Sequence, residues 1–232
     1  MTERGKGRLF VVSTPIGNLK DFTFRGVETL GEVDCIAAED TRRTRILLSH
    51  YNLKTPLSSY NSYNKIPKGR EFVRRMENGE NIALVSDAGT PGVSDPLYHL
   101  VKAALEEGIE VESIPGASAL LSGLVVSGLP TDRFLFEGFL PRKKGRSTRL
   151  TWLATQPCTV VFFESPHRIG KTLADILGVF GNREAAIARE MTKLHEEINR
   201  GTLEELIETH AERKWKGEIT LIVAGANSKK GE

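Results

Sequence analysis

The sequence predicts an α/β protein with two lobes, and two observations support this fold class. Short runs rich in Val, Ile and Phe alternate with amphipathic helical patterns, which is typical of strand–helix–strand units. This alternation occurs twice, once on each side of a segment of small residues, and 232 residues suffice for two small domains. We expect a largely parallel sheet in the N-terminal lobe, a mixed sheet in the C-terminal lobe and a cleft between them.

The N-terminal lobe is expected to span residues 1–115 and to contain four buried strands. Each strand is an apolar run bounded by turn residues: Arg8–Ser13, Cys35–Ala38, Asn81–Ser86 and Val111–Ile114. One helix is expected to begin at Pro67 and to end at Gly79, with Phe72, Val73 and Met76 on one face. The next helix has an apolar stripe and ends at Gly108; the stripe consists of Leu97, Leu100, Val101, Ala104 and Leu105.

The second half of the chain shows the same kind of pattern with different residues. Residues 116–129 are expected to form a connecting helix, residues 130–226 the C-terminal lobe and residues 227–232 a tail. The predicted strands are Phe134–Glu137, Thr159–Phe163, Glu184–Ala188 and Glu218–Ala224. Two helices are indicated by apolar stripes, Ile169, Leu173, Ile176, Leu177 and Phe180 in one and Leu203, Leu206 and Ile207 in the other.

Composition and spacing exclude several classes of protein. The longest mostly apolar stretch, Ala119 to Leu129, contains Gly and Ser and is shorter than the roughly 20 residues of a membrane span. The N-terminus has no secretory-signal pattern, and two cysteines, Cys35 and Cys158, suit buried thiols in a reducing cytoplasm. The five histidines do not fall at metal-ligand spacings, so no metal site is expected. A net charge of +2 restricts any nucleic-acid contact to local patches.

Three loops that follow predicted strands are rich in Gly, Pro and small residues. They are Thr14–Asn18, Ser86–Pro96 and Pro115–Ala119. Ligands of open α/β sheets bind beyond the carboxyl ends of the strands, and glycine lets the backbone approach a ligand closely. The loops therefore indicate either a flat ligand held mainly by main-chain groups or ordinary tight turns. A dinucleotide site is disfavoured because the first loop has a single glycine, Gly17.

The segment Ser165–Thr172 (SPHRIGKT) approaches the phosphate-loop pattern and ends in Lys171 and Thr172. It has Ser165 in place of the first glycine, and Pro166 lacks an N–H for a phosphate. A nucleotide triphosphatase is therefore a disfavoured alternative.

Charged residues at other strand ends suggest chemistry or partners. Glu39 and Asp40 follow the second strand, where they suit a general base, although Asp40 or Thr41 as a helix N-cap is the commoner role. Glu164 and Glu190 follow later strands. Basic residues form three clusters, which indicate either solvated faces or a phosphate-backbone partner. The clusters are Arg42, Arg43 and Arg45; Lys65, Lys68, Arg70, Arg74 and Arg75; and Arg142, Lys143, Lys144, Arg146 and Arg149.

Six ordered motifs together carry a resemblance to a known family. They are Thr14–Asp21 (TPIGNLKD), Ala37–Arg42 (AAEDTR), Ser86–Pro96 (SDAGTPGVSDP), Pro115–Ala119 (PGASA), Phe163–Arg168 (FESPHR) and Arg189–Lys193 (REMTK). From about Arg8 to Gly225 the chain resembles the tetrapyrrole-methylase-like (class III) superfamily of S-adenosylmethionine-dependent methyltransferases. Within it, the motifs are similar to those of the branch that methylates a cytidine 2′-hydroxyl of small-subunit ribosomal RNA.

The resemblance implies a cytoplasmic homodimer that binds S-adenosyl-L-methionine in the interlobe cleft and acts on small-subunit ribosomal RNA or the assembled small subunit. It implies cofactor contacts at Pro15, Ile16, Asp87, Gly89, Thr90, Ala117, Ser118, Ala119, Phe163, Ala188 and Ile219. Because a ribose hydroxyl is a weak nucleophile, a base would help, with Glu39 or Asp40 as first candidate and Glu190 next. Expected RNA contacts are Arg42, Arg43, Arg142, Lys143, Lys144, Arg146, Arg168, Arg189 and Lys193.

Two further functions remain open from the sequence. A tetrapyrrole or other small-molecule methyltransferase would share the fold, but its substrate would not call for the basic cluster at 142–149. A non-catalytic RNA-binding protein would keep the basic clusters but would not bind S-adenosylmethionine.

Overall fold

A computed structural model describes residues 5–94 and 97–226, and the chain divides into two compact units at Ser118 and Ala119. The end of the second Gly/Pro loop, at 95–96, and the expected tail at 227–232 lie outside the described residues. Among the described helices, none is long and apolar enough to cross a membrane.

The first unit is a parallel sheet covered by helices on both faces. The strand order is β3-β2-β4-β1-β5, and every neighbouring pair is parallel. The strands are β1 (Arg8–Val12), β2 (Cys35–Ala38), β3 (Leu57–Ser59), β4 (Ile82–Val85) and β5 (Glu110–Ile114). The helices are α1 (Phe24–Glu32), α2 (Thr41–His50), α3 (Lys65–Glu77) and α4 (Tyr98–Glu106).

The central strands of this sheet are apolar along their whole length because both faces are covered. All four residues of β2 and of β4 are buried. Phe72 of α3 and Leu100 of α4 pack against one face, and Leu30 of α1 and Leu47 of α2 pack against the other. Since the strands are parallel, their carboxyl ends share one edge of the sheet, and the loops after β1, β2, β4 and β5 emerge there.

The second unit contains a mixed sheet, as predicted. The strand order is β6-β7-β10-β8-β9, with β6 parallel to β7 and the other pairs antiparallel. The strands are β6 (Phe134–Phe139), β7 (Thr159–Glu164), β8 (Glu184–Arg189), β9 (Glu197–Thr202) and β10 (Ile219–Val223). The helices are α5 (Ala119–Val125), α6 (Arg146–Ala154), α7 (Ile169–Phe180) and α8 (Leu203–Thr209).

The two faces of this second sheet are covered differently. Helices α6, α7 and α8 form one core with side chains such as Phe162 and Leu221. On the other face α5 comes close to the sheet, since a Cβ at Gly123 would lie 3.1 Å from Thr220 Cγ2 and 3.3 Å from Ala188 Cβ. The small residues of the predicted connecting segment therefore serve close packing of α5 within the second unit.

Some element boundaries differ from the predictions. Helix α3 begins at Lys65 rather than at Pro67, so the proline is the third helical residue. The first-turn N–H groups of a helix have no intrahelical partner, and the missing N–H of Pro67 therefore costs little. Strands β3 and β9 were not predicted, since both lie at sheet edges and include polar residues such as Ser58 and Asn199. Helices α1 and α6 were not predicted either.

Candidate functional site

The loops after β1 and β4 are joined by a pair of backbone hydrogen bonds. Thr14 N–H donates to Gly89 O at 2.9 Å, and Gly89 N–H donates back to Thr14 O at 3.0 Å. Gly89 has φ +79°, and a Cβ there would lie 3.3 Å from Ile16 Cγ2. A side chain at position 89 would thus be strained by its backbone conformation and crowded by the buried Ile16.

Thr90 connects the same pair of loops to the loop after β5. Its hydroxyl lies 3.0 Å from Ser13 Oγ and 3.4 Å from the carbonyl oxygen of Ala117. A Cβ at Gly116 would lie 3.0 Å from Ser13 Cβ, so this backbone approach also favours a glycine. The three Gly/Pro loops selected from the sequence therefore lie together, with Pro15, Asp87 and Ser118 on them partly exposed.

An acidic corner lies where β2 and β4 end. Asp40 N–H donates to Asp87 Oδ1 at 3.0 Å, and Asp87 N–H approaches Glu39 Oε2 at 3.4 Å. The Arg43 guanidinium lies 3.4 Å from Asp87 Oδ2. The structure thus brings the predicted candidates Glu39, Asp40 and Asp87 together.

Asp40 acts as the N-cap of α2, the commoner of the two roles that the sequence left open. Its carboxylate accepts from the Arg42 backbone N–H at 2.9 Å and from the Arg42 guanidinium at 2.6 Å. The hydrogen bonds from the Arg42 side chain and backbone outweigh partial desolvation and lower the pKa of Asp40 to about 2. A carboxylate with so low a pKa is a weak general base, so Glu39 is the better placed of the pair.

In the second unit, two candidate positions lie on one face of the sheet. Phe163 of β7 and Ala188 of β8 both pair with Thr220 of β10, and Thr220 Oγ1 lies 3.5 Å from the carbonyl oxygen of Ala119. Ile219 is one position away and therefore points to the opposite face, where it is buried in the core under α7. Thr220, which was not among the residues selected from the sequence, lies on the same face as Phe163 and Ala188.

Glu190 lies in a turn whose backbone conformation is unusual. Glu190 has φ 51° and Thr192 φ 68°, values that few residues with side chains adopt. The Glu190 carboxylate accepts from Glu218 N–H and from Lys193 Nζ, both at 2.9 Å. Partial burial raises the pKa of Glu190, but these two donors outweigh it and leave the pKa below its ordinary value. The hydrogen bonds of the Glu190 carboxylate thus stabilise the turn in which Glu190 lies.

Glu164 is the centre of a buried polar network that the sequence analysis did not identify. Its side chain is 1% exposed, and its carboxylate accepts from Ser165 N–H at 2.8 Å and from Thr172 Oγ1 at 2.7 Å. The Arg146 guanidinium donates to Thr172 Oγ1 at 2.9 Å and to Asp175 at 2.8 Å. Because a carboxylate accepts the Ser165 N–H at the start of SPHRIGKT, this segment is not organised to wrap a phosphate.

The same network holds the base of the basic loop between β6 and α6. Arg146 donates to the carbonyl oxygen of Pro141 at 3.2 Å, and Arg168 donates to that of Leu140 at 2.9 Å. Arg146 is 8% exposed, whereas Arg142, Lys143 and Lys144 are exposed. Arg146 therefore anchors the loop, and its three exposed neighbours present positive charge to solvent.

The remaining expected RNA contacts differ in their availability. Arg42 and Arg43 have side chains that are 85% and 63% exposed. Arg189 donates to Glu197, and Lys193 pairs with Glu190 and Glu218. All four side chains pair with carboxylates, but those of Arg42 and Arg43 are also largely exposed and can therefore reach a large partner directly.

A family model and individual relatives identify the same family for this chain. A model of the tetrapyrrole (corrin/porphyrin) methylases matches residues 8–207. A Thermotoga maritima protein named ribosomal RNA small subunit methyltransferase I is 51% identical over 219 residues, covering 94% of this chain and 99% of the relative. A Halalkalibacterium halodurans protein of the same name is 51% identical over 225 residues, covering 97% of this chain and 78% of the relative.

Solved structures show the same fold at low sequence identity. Uroporphyrin-III C-methyl transferase from Thermus thermophilus, complexed with S-adenyl homocysteine, has a TM-score of 0.67 at 20% identity, covering 95% of this chain and 98% of that one. A diphthine synthase has a TM-score of 0.73 at 16% identity, with coverage of 94% and 90%.

Proposed function

The chain belongs to the tetrapyrrole (corrin/porphyrin) methylase family, and on this premise we propose that it methylates a cytidine 2′-hydroxyl of small-subunit ribosomal RNA. It is a methyltransferase whose methyl donor is S-adenosyl-L-methionine. The observation that carries the proposal is the joining of the three Gly/Pro loops through Thr14, Gly89 and Thr90 in a chain half identical to ribosomal RNA methyltransferases.

The residues of the first unit fit a nucleoside-like donor. The glycines at 89 and 116 let the loops approach one another closely, and the partly exposed Asp87 carboxylate offers an acceptor for hydroxyl or amine groups. Pro15, Ile16, Ala117 and Ser118 lie on the same loops. In the second unit we assign Ala119, Phe163, Ala188 and Thr220 to the donor, with Thr220 replacing Ile219.

Methyl transfer from this donor depends mainly on how the protein positions the two reactants. The sulfonium donor supplies an already activated methyl group, so the protein must hold the ribose oxygen in line with the bond that breaks. We assign Glu39 as the general base that accepts the 2′-hydroxyl proton, because Asp40 is held as a helix cap and Glu190 as the support of a turn. Asp87 N–H, 3.4 Å from Glu39 Oε2, helps to orient the Glu39 carboxylate.

The exposed cations fit an RNA partner. Arg142, Lys143 and Lys144 form one exposed cluster in the second unit, and Arg42 and Arg43 form another in the first. Phosphate groups bind such cations regardless of base sequence. A single-stranded or splayed target is expected, since a 2′-oxygen within an A-form helix is poorly accessible to a protein cleft. The basic loop favours RNA over a tetrapyrrole substrate.

We also propose that the protein acts as a homodimer in the cytoplasm. The family resemblance supports the dimer, and the free cysteines Cys35 and Cys158 suit the reducing cytoplasm. Sedimentation of the purified protein at micromolar concentration tests the dimer, and a monomer would contradict it.

Two measurements test the proposed function. Calorimetry on purified protein is expected to give a saturable isotherm with S-adenosylmethionine and none with ATP and magnesium. Mass-spectrometric nucleoside mapping of ribosomal RNA is expected to lose one 2′-O-methylcytidine when the gene is deleted. The wild-type gene is expected to restore this nucleoside. An unchanged nucleoside map would contradict the substrate, and heat from ATP alone would contradict the enzyme class.

A further inference from the structure

The second unit contains a small open cavity at the turn that follows β8, which we call the Lys214 notch. Its volume is about 310 Å³, and five basic side chains line it: Arg189, His195, Arg213, Lys214 and Lys216. Of these five, only Arg189 was expected from the sequence to contact RNA. Such a concentration of basic side chains around one concave surface favours an anionic ligand.

The two arginines of the notch are held in place by one carboxylate. Glu197 accepts from Arg189 Nε at 3.2 Å and from Arg213 Nη1 at 2.6 Å. The Arg213 guanidinium also lies over the Trp215 ring, 4.1 Å from its centroid. Fixed guanidinium groups lose little conformational freedom when they bind a further anion, which favours recognition of phosphate.

Two carboxylates, Glu190 in the notch and Glu197 behind it, offset only part of this positive charge and leave Lys214 and Lys216 unpaired among the described residues. Glu190 already accepts from Lys193 and from Glu218 N–H. Its side chain crosses the backbone at Gly217, where an added Cβ would clash with Glu190 Cδ. The strained turn and Gly217 therefore keep the Glu190 carboxylate directed at its own partners.

The other basic side chains of the notch are available to a ligand. Lys214, Lys216 and His195 are exposed, and within residues 5–94 and 97–226 no hydrogen bond or ion pair engages their side-chain nitrogens. Two free ammonium groups beside two fixed guanidinium groups match the several acceptor oxygens of one phosphate group.

We propose that the Lys214 notch binds a backbone phosphate of the RNA substrate, an inference that rests on the proposed function. Lys214 and Lys216 contact the phosphate oxygens, while Glu197 positions Arg189 and Arg213 behind them. Glu190 then supports the turn that shapes the notch.

The test compares three variants with the wild type in methyl transfer to small-subunit ribosomal RNA from a strain that lacks the gene. Lys214→Gln with Lys216→Gln removes both ammonium groups, and Lys214→Arg with Lys216→Arg keeps the charge. Lys54→Gln with Lys102→Gln removes two charges of the first unit as the matched control. KM for RNA is measured against salt concentration, and calorimetry gives the affinity for S-adenosylmethionine.

The Gln double variant is expected to raise KM for RNA about tenfold at low salt and to flatten the dependence of log KM on log salt by about 0.7 for each lost phosphate contact. The affinity for S-adenosylmethionine, the Arg variant and the control are expected to match the wild type. An unchanged KM and salt slope in the Gln variant would overturn the notch as a phosphate site. Failure of the wild type to methylate RNA would instead contradict the proposed function.

Discussion

The backbone N–H of Asp40 donates a 3.0 Å hydrogen bond to the carboxylate of Asp87, which joins the ends of two neighbouring strands of the first sheet. One oxygen of Asp87 thus fixes the start of α2, and the other faces Arg43 at 3.4 Å. The Asp87 side chain is 28% exposed, so it retains acceptor capacity for a ligand.

Replacing Asp87 is expected to weaken binding of the methyl donor. Asp87→Ala removes a charged acceptor, and we expect a loss of about 1.5 to 3 kcal/mol in the affinity for S-adenosylmethionine measured by calorimetry. Asp34→Ala is the control, because Asp34 accepts from Asn81 N–H at 2.8 Å at the opposite end of the same strands. Equal affinities for both variants and the wild type would rule out Asp87 as a donor contact.

Gly89→Ala is expected to reduce both stability and donor affinity. The positive φ should cost about 1 to 2 kcal/mol of folding free energy, and the new Cβ would meet Ile16 at 3.3 Å. Gly181→Ala is the control, since Gly181 has φ +75° with no atom within 4 Å of a Cβ. Both variants should unfold earlier in urea, but Gly89→Ala alone should weaken S-adenosylmethionine binding. Normal binding by Gly89→Ala would contradict the assignment of this loop.

Glu39→Gln is expected to lower kcat by about 10²- to 10⁴-fold, because the amide cannot accept the 2′-hydroxyl proton, while the affinity for S-adenosylmethionine stays unchanged. Asp40→Ser keeps an N-cap acceptor and should retain turnover, which makes it the matched control. The rate of single-turnover methyl transfer is measured for both variants. Full activity of Glu39→Gln together with an inactive Asp40→Ser would reverse the assignment of the base.

The sequence predicted the two sheets and the three joined loops because apolar strands and Gly/Pro turns are local features. The mixed sheet in the second unit was confirmed, and the loops that contain Thr14, Thr90 and Ala117 lie together. The role of Arg146 depends on Asp175 and Thr172, which only the fold brings close to it. Thr220 rather than Ile219 shares a sheet face with Phe163 and Ala188, because one residue along a strand reverses the face on which a side chain lies.

Arg146→Ala is expected to destabilise the second unit by about 2 kcal/mol, because it removes the charged donor to Asp175 and to the buried Thr172 hydroxyl. Lys144→Ala, in the exposed part of the same loop, should leave stability unchanged and weaken RNA binding. Both tryptophans, Trp152 and Trp215, lie in the second unit, so their fluorescence in urea reports its unfolding. Equal stability of the two variants would contradict the anchoring role of Arg146.

The lowered pKa of Glu197 predicts that the stability of the folded protein depends on pH. Hydrogen bonds from Arg213 lower its pKa from 4.5 to about 2, against partial burial and with help from Asn199 and Arg189. Because the pKa is lower in the folded than in the unfolded chain, the stabilisation by Glu197 is fully present above about pH 4.5 and is lost as the pH falls towards 2.

Glu197→Gln should therefore be less stable than the wild type at neutral pH, and the difference should shrink as the pH falls from 4.5 to 2. Tryptophan fluorescence in urea at a series of pH values measures the free energy of unfolding. Glu208→Gln, at an exposed position without an ion pair among the described residues, provides the control. A constant difference between Glu197→Gln and the wild type across this range would show that the carboxylate charge does not hold Arg189 and Arg213, since only a charged group loses its contribution on protonation.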